Sequence, residues 1–509
     1  MITLSGARPR SFSWCIILAL LALVAAVVPN VRGGDVVPRA QPDLLALASR
    51  HPDQPVDVIV QKLAHATSVE QLVARLGGVV TTDLHIINAF AAKLSAGAAL
   101  ELARAAGVRW ISLDAPVVRA TACTPCVGGT NLKNTYVRAV GADRVWNEAP
   151  YYQGQGIGVA VVDSGVTPQA DFYTPMGANR IPAMVTFNDD YNRTPYDGYG
   201  HGTHVAGIIG GDGELSGGAY IGVAPMVSLI NVKVSNDNGG STASNVVKGL
   251  QWVNDNRNIY NIRVVNLSLN SSVAESYHTN PIAAAVEILW FNKIVVVVSA
   301  GNRGKNALFP PANDPFVITV GAADDRGTPS TTDDTLASYS GFGQTTDGIS
   351  KPDLVAPGTN IISVMPNPNN VLALGHPGNV VDRLYLRMSG TSMAAPVVSG
   401  AAALLLQANP NLTPDQVKYR LMTTARSFDS PQRVGAGYLD VYAALHSNTT
   451  ASANTGIPAS QLLWSGSAPV TWNSVNWNSV NWNSVNWNSV NWNSVNWNSV
   501  NWNSDYWGN

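Results

Sequence analysis

Four apolar runs, rich in valine and isoleucine, constrain the fold of this 509-residue chain more than any other feature. They are residues 157–162, 227–234, 262–269 and 294–298. Because almost all of their side chains are apolar, both faces of each strand must be buried, as in a parallel sheet between helices. Helical segments separate them: one follows His201, one covers 244–254, and one starts at Asn280 with Pro281 in its first turn. Residues 141–445 are thus predicted to form a doubly wound α/β domain with a mostly parallel sheet.

The first 34 residues are predicted to be an export signal. Arg8 and Arg10 precede an apolar run at 14–28, and small and polar residues follow it. A retained membrane anchor is the less favoured alternative, since a spanning helix needs roughly 20 apolar residues. We therefore expect a secreted, extracellular protein, with retention at the cell surface left open.

The cysteines exclude a disulfide scaffold. Cys15 lies in the signal, which leaves Cys123 and Cys126 in the processed chain. Two cysteines without a nearby Cys or His pair cannot complete a four-ligand zinc site. A local disulfide between them stays an open interpretation.

Two polar residues follow apolar runs, one at once and one after three small residues. Asp163 ends Ile157-Gly-Val-Ala-Val-Val-Asp163, and Asn302 ends Val298-Ser-Ala-Gly-Asn302. Side chains at the carboxyl ends of parallel strands project into the crevice where α/β enzymes bind ligands. Each residue could instead serve a turn.

One histidine is favoured over its neighbour as a catalytic base. His201 lies in Gly200-His201-Gly202-Thr203-His204, where the flanking glycines keep its imidazole reachable. We expect His204 to be packed inside or hydrogen bonded.

Ser392 lies in Gly390-Thr391-Ser392-Met393-Ala394-Ala395-Pro396, directly before the apolar helical run 397–406. A serine at a helix start is commonly only an N-cap. The free N–H groups and the positive dipole end would also stabilise an oxyanion that forms beside Ser392.

Together these segments resemble the signature motifs of subtilisin-like serine peptidases, in the chain order Asp, His, Ser of that family. The resemblance covers roughly residues 141–445. It extends to Gly222-Val-Ala-Pro225, Val264-Val-Asn-Leu-Ser-Leu269, Lys351-Pro-Asp-Leu-Val-Ala-Pro-Gly358 and Gly435-Ala-Gly-Tyr-Leu-Asp440.

The resemblance implies a role for each residue. Ser392 attacks the peptide carbonyl, His201 moves the proton, Asp163 orients the imidazole, and Asn302 with the Ser392 N–H holds the oxyanion. No cofactor is needed for this chemistry. Structural calcium is common in the family; acidic pairs occur at Asp189-Asp190, Asp324-Asp325 and Asp333-Asp334, and no metal ligand is assigned.

Protein and peptide substrates are expected to lie extended along an edge strand, which predicts broad endopeptidase activity. The walls of the first pocket are predicted to be Ser268, Leu269, Asn270, Ser299, Ala300 and Gly301. These residues are mostly small and neutral, so we expect an uncharged residue before the cut. Asn270 departs from the glycine that is usual in the family, which leaves the preference open.

A separate module precedes this domain. Residues 55–118 are predicted to contain strands at 56–60, 86–94 and 109–113 and helices at 68–76 and 98–106. This α+β pattern alone assigns no purpose. Its position resembles that of the family's inhibitory propeptides, which implies a self-processing zymogen inhibited by its own propeptide, with the junction between Val118 and Asn131.

From Trp472 the chain repeats Trp-Asn-Ser-Val-Asn. The repeats contain no Lys or Arg, and the whole chain has only 13% charged residues and a net charge of -2, so nucleic acid binding is not expected. The tail could contact the cell envelope or a polymer through its tryptophans, or be a removable disordered segment.

The rival function is a catalytically inactive surface or adhesion protein that keeps the subtilisin fold and acts through the tail. The presence of Asp163, His201, Asn302 and Ser392 together argues against it. The predicted organisation is a signal at 1–34, a propeptide at 35–122, the peptidase domain at 123–446, a linker at 447–471 and the repeat tail at 472–509.

Overall fold

The structure, a computed structural model, describes residues 38–63, 68–119, 134–174, 176–188 and 193–463. The predicted signal, Cys123 and Cys126, Asp189-Asp190 and the repeat tail lie outside the described residues.

The N-terminal module is a four-stranded antiparallel sheet with the strand order β2-β3-β1-β4. Apolar residues alternate along its strands, so that Phe90 and Ala92 face the module's own helices while Ala89 and Ala91 face the following domain. Its elements are α1 (Pro42–Arg50), β1 (Pro55–Lys62), α2 (Ser68–Arg75), β2 (Val79–Leu84), β3 (Ala89–Ser95), α3 (Ala96–Leu102) and β4 (Val108–Leu113).

The module departs from the prediction in two places. The strand predicted at 86–94 is wrong in its first part, because His85–Ile87 forms a 3-10 turn and the strand itself is Ala89–Ser95. Strand β2 and helix α1 were not predicted. Strand β2 is an exposed edge with two threonines, so it has no strong apolar pattern, and α1 precedes residues 55–118, the segment over which elements were predicted.

The central sheet confirms the doubly wound prediction. Seven parallel strands are ordered β17-β13-β12-β10-β6-β8-β7, and β14 pairs antiparallel with β13. Every residue of β6 and β12 is buried, which requires cover on both faces. The strands are β6 (Gly158–Asp163), β7 (Ala183–Thr186), β8 (Ser228–Lys233), β10 (Ile262–Leu267), β12 (Val295–Ser299), β13 (Ile318–Asp324), β14 (Thr335–Leu336) and β17 (Leu354–Pro357).

Two pairs of helices cover this sheet. Helices α6 (His201–Gly210) and α10 (Thr391–Ala408) pack on each other, and α7 (Ala243–Asn256) packs on α8 (Pro281–Phe291). The N-terminal module also packs against α8. Helix α10 is apolar enough to cross a membrane, but 89% of it is buried within the fold. The helices are α4 (Tyr136–Ala139), α5 (Ala142–Asn147), α6 (His201–Gly210), α7 (Ala243–Asn256), α8 (Pro281–Phe291), α9 (Val371–Gly375), α10 (Thr391–Ala408), α11 (Pro414–Thr423), α12 (Pro431–Val434) and α13 (Val441–His446).

Short strands form three further sheets at the edges of the domain. They are β5 (Pro116–Arg119), β9 (Ser241–Thr242), β11 (Leu269–Ser271), β15 (Gly343–Gln344), β16 (Ser350–Lys351), β18 (Ile361–Val364), β19 (Val380–Val381) and β20 (Tyr385–Met388).

Residues 447–463, which the sequence assigns to the linker, pack on the domain in this structure. Asn454 donates to Phe316 O at 3.0 Å and to Asp415 Oδ1 at 2.7 Å, and Ser460 is fully buried.

Candidate active site

The carboxyl end of β6 and the start of α6 bring Asp163 and His201 together. His201 Nδ1 donates to both carboxylate oxygens of Asp163, at 2.9 Å and 3.0 Å, and both side chains are buried. Because the carboxylate can only accept, it holds the proton on Nδ1 and leaves Nε2 as the basic nitrogen. His201 Nε2 is buried and makes no hydrogen bond among the described residues.

The absence of a side chain at Gly202 allows the close contact between His201 and Asp163. A Cβ added there would lie 2.2 Å from Gly165 O and 3.2 Å from the Asp163 Cβ. Any side chain at position 202 would therefore push the start of α6 away from Asp163.

Asp197 anchors the start of α6, and sequence reasoning missed it. Its Oδ1 accepts from Gly200 N at 2.8 Å and its Oδ2 accepts from Thr203 N at 2.8 Å. Asp197 also accepts from Ser164 Oγ at 2.8 Å, next to Asp163 in the chain. This buried carboxylate thus ties the helix that carries His201 to the strand that carries Asp163. Its position four residues before His201 is the signal that could have indicated it.

His204 lies inside the domain, as expected. Its Nε2 donates to Leu386 O at 2.9 Å and Ile361 O at 3.2 Å. Burial lowers the pKa of His204 to about 3, so the ring is neutral and already engaged.

Ser392 is the second residue of α10, where Gly390 holds the N-cap position, so the N-cap interpretation of Ser392 is wrong. Its Oγ lies 3.3 Å from Ser268 O, to which it donates. In return, Ser268 Oγ donates to Ser392 O at 2.9 Å and accepts from Asn266 Nδ2 at 2.9 Å. The Ser268 side chain therefore holds Ser392 against the end of β10.

Asn302 is oriented by Thr391, the residue before Ser392. Its Oδ1 accepts from Thr391 N at 2.9 Å and from Thr391 Oγ1 at 3.0 Å. Thr391 Oγ1 also accepts from Gly301 N at 3.0 Å. Because the amide oxygen accepts from Thr391, the side chain of Asn302 is fixed beside Ser392, and its amide nitrogen is the hydrogen-bond donor of that side chain. The role of Thr391 was not predicted.

The two predicted walls of the first pocket are joined by a side chain. Asn270 Nδ2 donates to Ser299 O at 2.9 Å, and Asn270 Oδ1 lies 3.3 Å from the position of a Cβ on Gly301. Neither Asn270 Oδ1 nor Ser299 Oγ has a hydrogen-bond partner among the described residues, and both atoms are buried. Leu269 and Ala300 are also buried, and Ala300 N donates to Val320 O at 2.9 Å.

Strand β5, which follows β4 and is the last strand of the N-terminal module, occupies the edge beside this pocket. Strand β5 lies between β9 and β11 and pairs antiparallel with both. Asn270 is opposite Val118, and Leu269 is opposite Arg119. The strand thus makes main-chain contacts of the kind that an extended peptide substrate would make.

Among the residues that the structure describes, no group of three His, Cys, Asp or Glu side chains is placed to hold a metal ion. Asp325 accepts from Thr135 Oγ1 at 2.8 Å, and burial raises its pKa.

A buried Asp-His pair, a serine at a helix start and an adjacent amide on a parallel α/β sheet define a serine hydrolase of the Asp, His, Ser order. Residues 154–453 match the model of the subtilase family, peptidase S8. The chain belongs to this family and is a subtilisin-like serine peptidase.

Comparisons with individual proteins agree with this family assignment. Serine protease AprX of Bacillus subtilis (strain 168) is 40% identical over 317 residues, which are 60% of this chain and 70% of AprX. Subtilisin DY of Bacillus licheniformis is 33% identical over 307 residues, 60% of this chain and 95% of the relative. The crystal structure of fervidolysin from Fervidobacterium pennivorans, a keratinolytic enzyme related to subtilisin, matches with a TM-score of 0.60 and 26% identity. That match covers 80% of this chain and 63% of fervidolysin.

Proposed function

We propose that the protein is a secreted serine endopeptidase that is made as an inhibited precursor and removes its own N-terminal module. The observation that carries this proposal is the position of β5. The last strand of the module pairs with β11 and β9 on the edge that the candidate site offers to a substrate. A substrate cannot use that edge while β5 is there, so the module inhibits by occupying it.

The chemistry assigns one task to each residue. Ser392 Oγ attacks the peptide carbonyl carbon while His201 Nε2 takes the hydroxyl proton, and Asp163 stabilises the imidazolium. His201 then gives that proton to the amine nitrogen as the C–N bond breaks, which leaves an ester on Ser392. Water then attacks the ester carbonyl carbon while His201 takes its proton; the C–Oγ bond breaks, the acid product leaves, and His201 returns the proton to Ser392 Oγ.

The oxyanion of each tetrahedral intermediate is held by Asn302 Nδ2 and the Ser392 N–H. Loss of one such donor costs about 100- to 1000-fold in rate, a range taken from subtilisin itself. Thr391 and Ser268 support these donors through the hydrogen bonds described above.

The first pocket is proposed to take a small, uncharged side chain. Asn270 reaches from one wall to the other through its bond to Ser299 O, and this leaves little depth for an aromatic ring. No Lys, Arg, Asp or Glu is among its six predicted wall residues.

The decisive experiment compares the exported wild-type protein with Ser392→Ala by intact mass, N-terminal sequencing and labelling with a serine-reactive fluorophosphonate. We expect the wild type to lose the module, to begin after Arg119, and to take the label. Ser392→Ala should keep the module and stay unlabelled. Identical processing of both proteins without label in either would contradict the proposal. Ser430→Ala, an exposed serine without a capping bond, is the matched control.

A further inference from the structure

Six residues that follow the peptidase domain in the chain, 458–463, lie between the module and that domain; we call them the C-terminal strap. The strap contacts the module through two side chains of its sheet. Gln61 Nε2 on β1 donates to Leu462 O at 2.9 Å, and Arg109 Nη1 on β4 donates to Gln461 O at 3.2 Å. These bonds join residues 401 and 352 positions apart in the chain.

The other side of the strap is bound to the peptidase domain. Ser460 N donates to Glu287 Oε2 on α8 at 2.7 Å, and Ser460 Oγ donates to His278 O at 2.9 Å. Tyr277 OH donates to Pro458 O at 2.9 Å. The strap is therefore hydrogen bonded to the module and to the peptidase domain at the same time.

The strap is part of the interior of the precursor. Ser460 is fully buried, and Ala459 and Leu462 are 2% and 7% exposed. Ala459 and Leu462 belong to the same apolar core as Ile59 and Ile87 of the module. The strap and the docking face of the module are therefore parts of one apolar core, and burial in that core favours the docked state.

Gln61 makes the contact specific. Its side chain is 3% exposed, and its amide nitrogen donates to Ile87 O within the module and to Leu462 O on the strap, both at 2.9 Å. A buried amide that loses one acceptor carries the cost of an unsatisfied donor. A module that docks without the strap would pay that cost.

We propose that the C-terminal strap is a second hold on the inhibitory module, which keeps the module docked after the junction has been cut. This inference rests on the proposed zymogen function. Cleavage at the junction breaks only the covalent link, whereas the strap stays attached to the peptidase domain through α13 and keeps its bonds to Gln61 and Arg109. Activity then appears only when the module leaves the strap, so cutting and activation are separate events.

The test follows two events in the maturing full-length protein: junction cleavage by mass spectrometry and the rise of peptidase activity on a chromogenic peptide. The interval between them measures how long the module stays bound. We expect a chain ending at Ile457, and the variant Leu462→Ala, to shorten that interval by roughly 10-fold or more. A chain ending at Leu463, which keeps the strap and loses the tail, should behave as wild type.

Gln61→Met removes the donor with little change in volume, and Arg104→Ala, exposed on the module, is its control. If Gln61 acts through the strap, Gln61→Met shortens the interval in the full chain and has no further effect in the chain ending at Ile457. A purely structural role within the module would shorten it equally in both.

The mature kcat of each variant, measured after the module has gone, shows that the peptidase domain itself is intact. The proposed role of the strap is wrong if the chain ending at Ile457 and Leu462→Ala are cut normally and keep the wild-type interval between junction cleavage and activity. Absence of cutting in the wild type would overturn the proposed function instead.

Discussion

The two main sheets of this protein, one in the module and one in the peptidase domain, differ in how their apolar faces are covered. The strands at the centre of the peptidase sheet are buried on both faces by helices of the same domain. The module covers one face of its sheet with its own helices and leaves the other, with Ile59 and Ala91, to the peptidase domain. A sheet needs cover on each apolar face, so the peptidase sheet is complete by itself and the module's sheet is complete only when it is docked on the peptidase domain. This difference is what the proposed removal of the module requires.

The comparison also separates chemistry from docking. All candidate catalytic residues belong to the self-contained domain, while the docking face belongs to the module. Substitutions in one region should therefore leave the property of the other region unchanged, and four predictions test this separation.

The largest effect is expected for His201→Ala, which removes the proposed base. Peptidase activity should fall about 10⁶-fold, the magnitude known for subtilisin. The module should stay docked, because His201 makes no contact with it in the hydrogen bonds described. Activity is measured on a chromogenic peptide and docking by resistance of the module to trypsin. The control is His446→Ala, at an exposed histidine, which should change neither peptidase activity nor docking. A similar loss of activity in this control would contradict the role of His201 as the base.

Ile87→Asp should do the reverse. It puts a charge in the shared core, where Ile87 is 3% exposed, and a buried unpaired charge is costly. In the Ser392→Ala background, trypsin should cut the module roughly 10- to 100-fold faster. Val79→Asp, at a site 65% exposed on the edge strand, is the control and should be silent. Loss of activity in matured Ile87→Asp enzyme would show that the two regions are not independent.

Asn270→Gly tests the place where the regions meet. Removing the side chain should open the first pocket and raise kcat/KM for a peptide with Phe before the cut about 10-fold relative to one with Ala. The ratio of the two kcat/KM values is the measurement, with Asn238→Gly, in a surface turn, as the control. An unchanged ratio would place the depth of the pocket elsewhere.

The smallest effect is a pH dependence of docking. Burial by itself would lower the pKa of His85. Hydrogen bonds to Asp255 of the peptidase domain and Asp83 of the module have the larger combined effect and raise the pKa to about 9. Burial raises the pKa of Glu275, beside Ser112 and Asp43 of the module, to about 7. Both groups hold their proton more tightly when docked, so docking is strongest at low pH and weakens as pH rises through 7 and 9.

This pH effect is measured as trypsin resistance of the module in Ser392→Ala between pH 5 and pH 10. We expect a change of several-fold, and Asp255→Asn with Glu275→Gln should flatten it. A profile that strengthens with pH would contradict the assignment.

Local pattern was enough for four strands of the peptidase sheet and for the placement of three candidate site residues at strand and helix ends. Apolar runs predicted β6, β8, β10 and β12 to within about two residues, because strands buried on both faces leave a continuous signal in the chain. The glycine-rich boundaries located Asp163, His201 and Ser392 at strand and helix ends. Strand β2 escaped prediction because an exposed edge strand with threonines has no such signal.

Reading the chain alone therefore established the fold class, the order of the site residues and the existence of a separate module. Only the folded molecule decided that β5 lies between β9 and β11, that Asn270 spans to Ser299, that Asp197 joins the start of α6 to Ser164, and that the strap joins Gln61 to Glu287. Each of these contacts joins residues far apart in sequence, and periodicity records whether a residue is buried but not which distant group buries it. The choice of partner is made when whole faces pack, so these contacts become visible only in the tertiary structure.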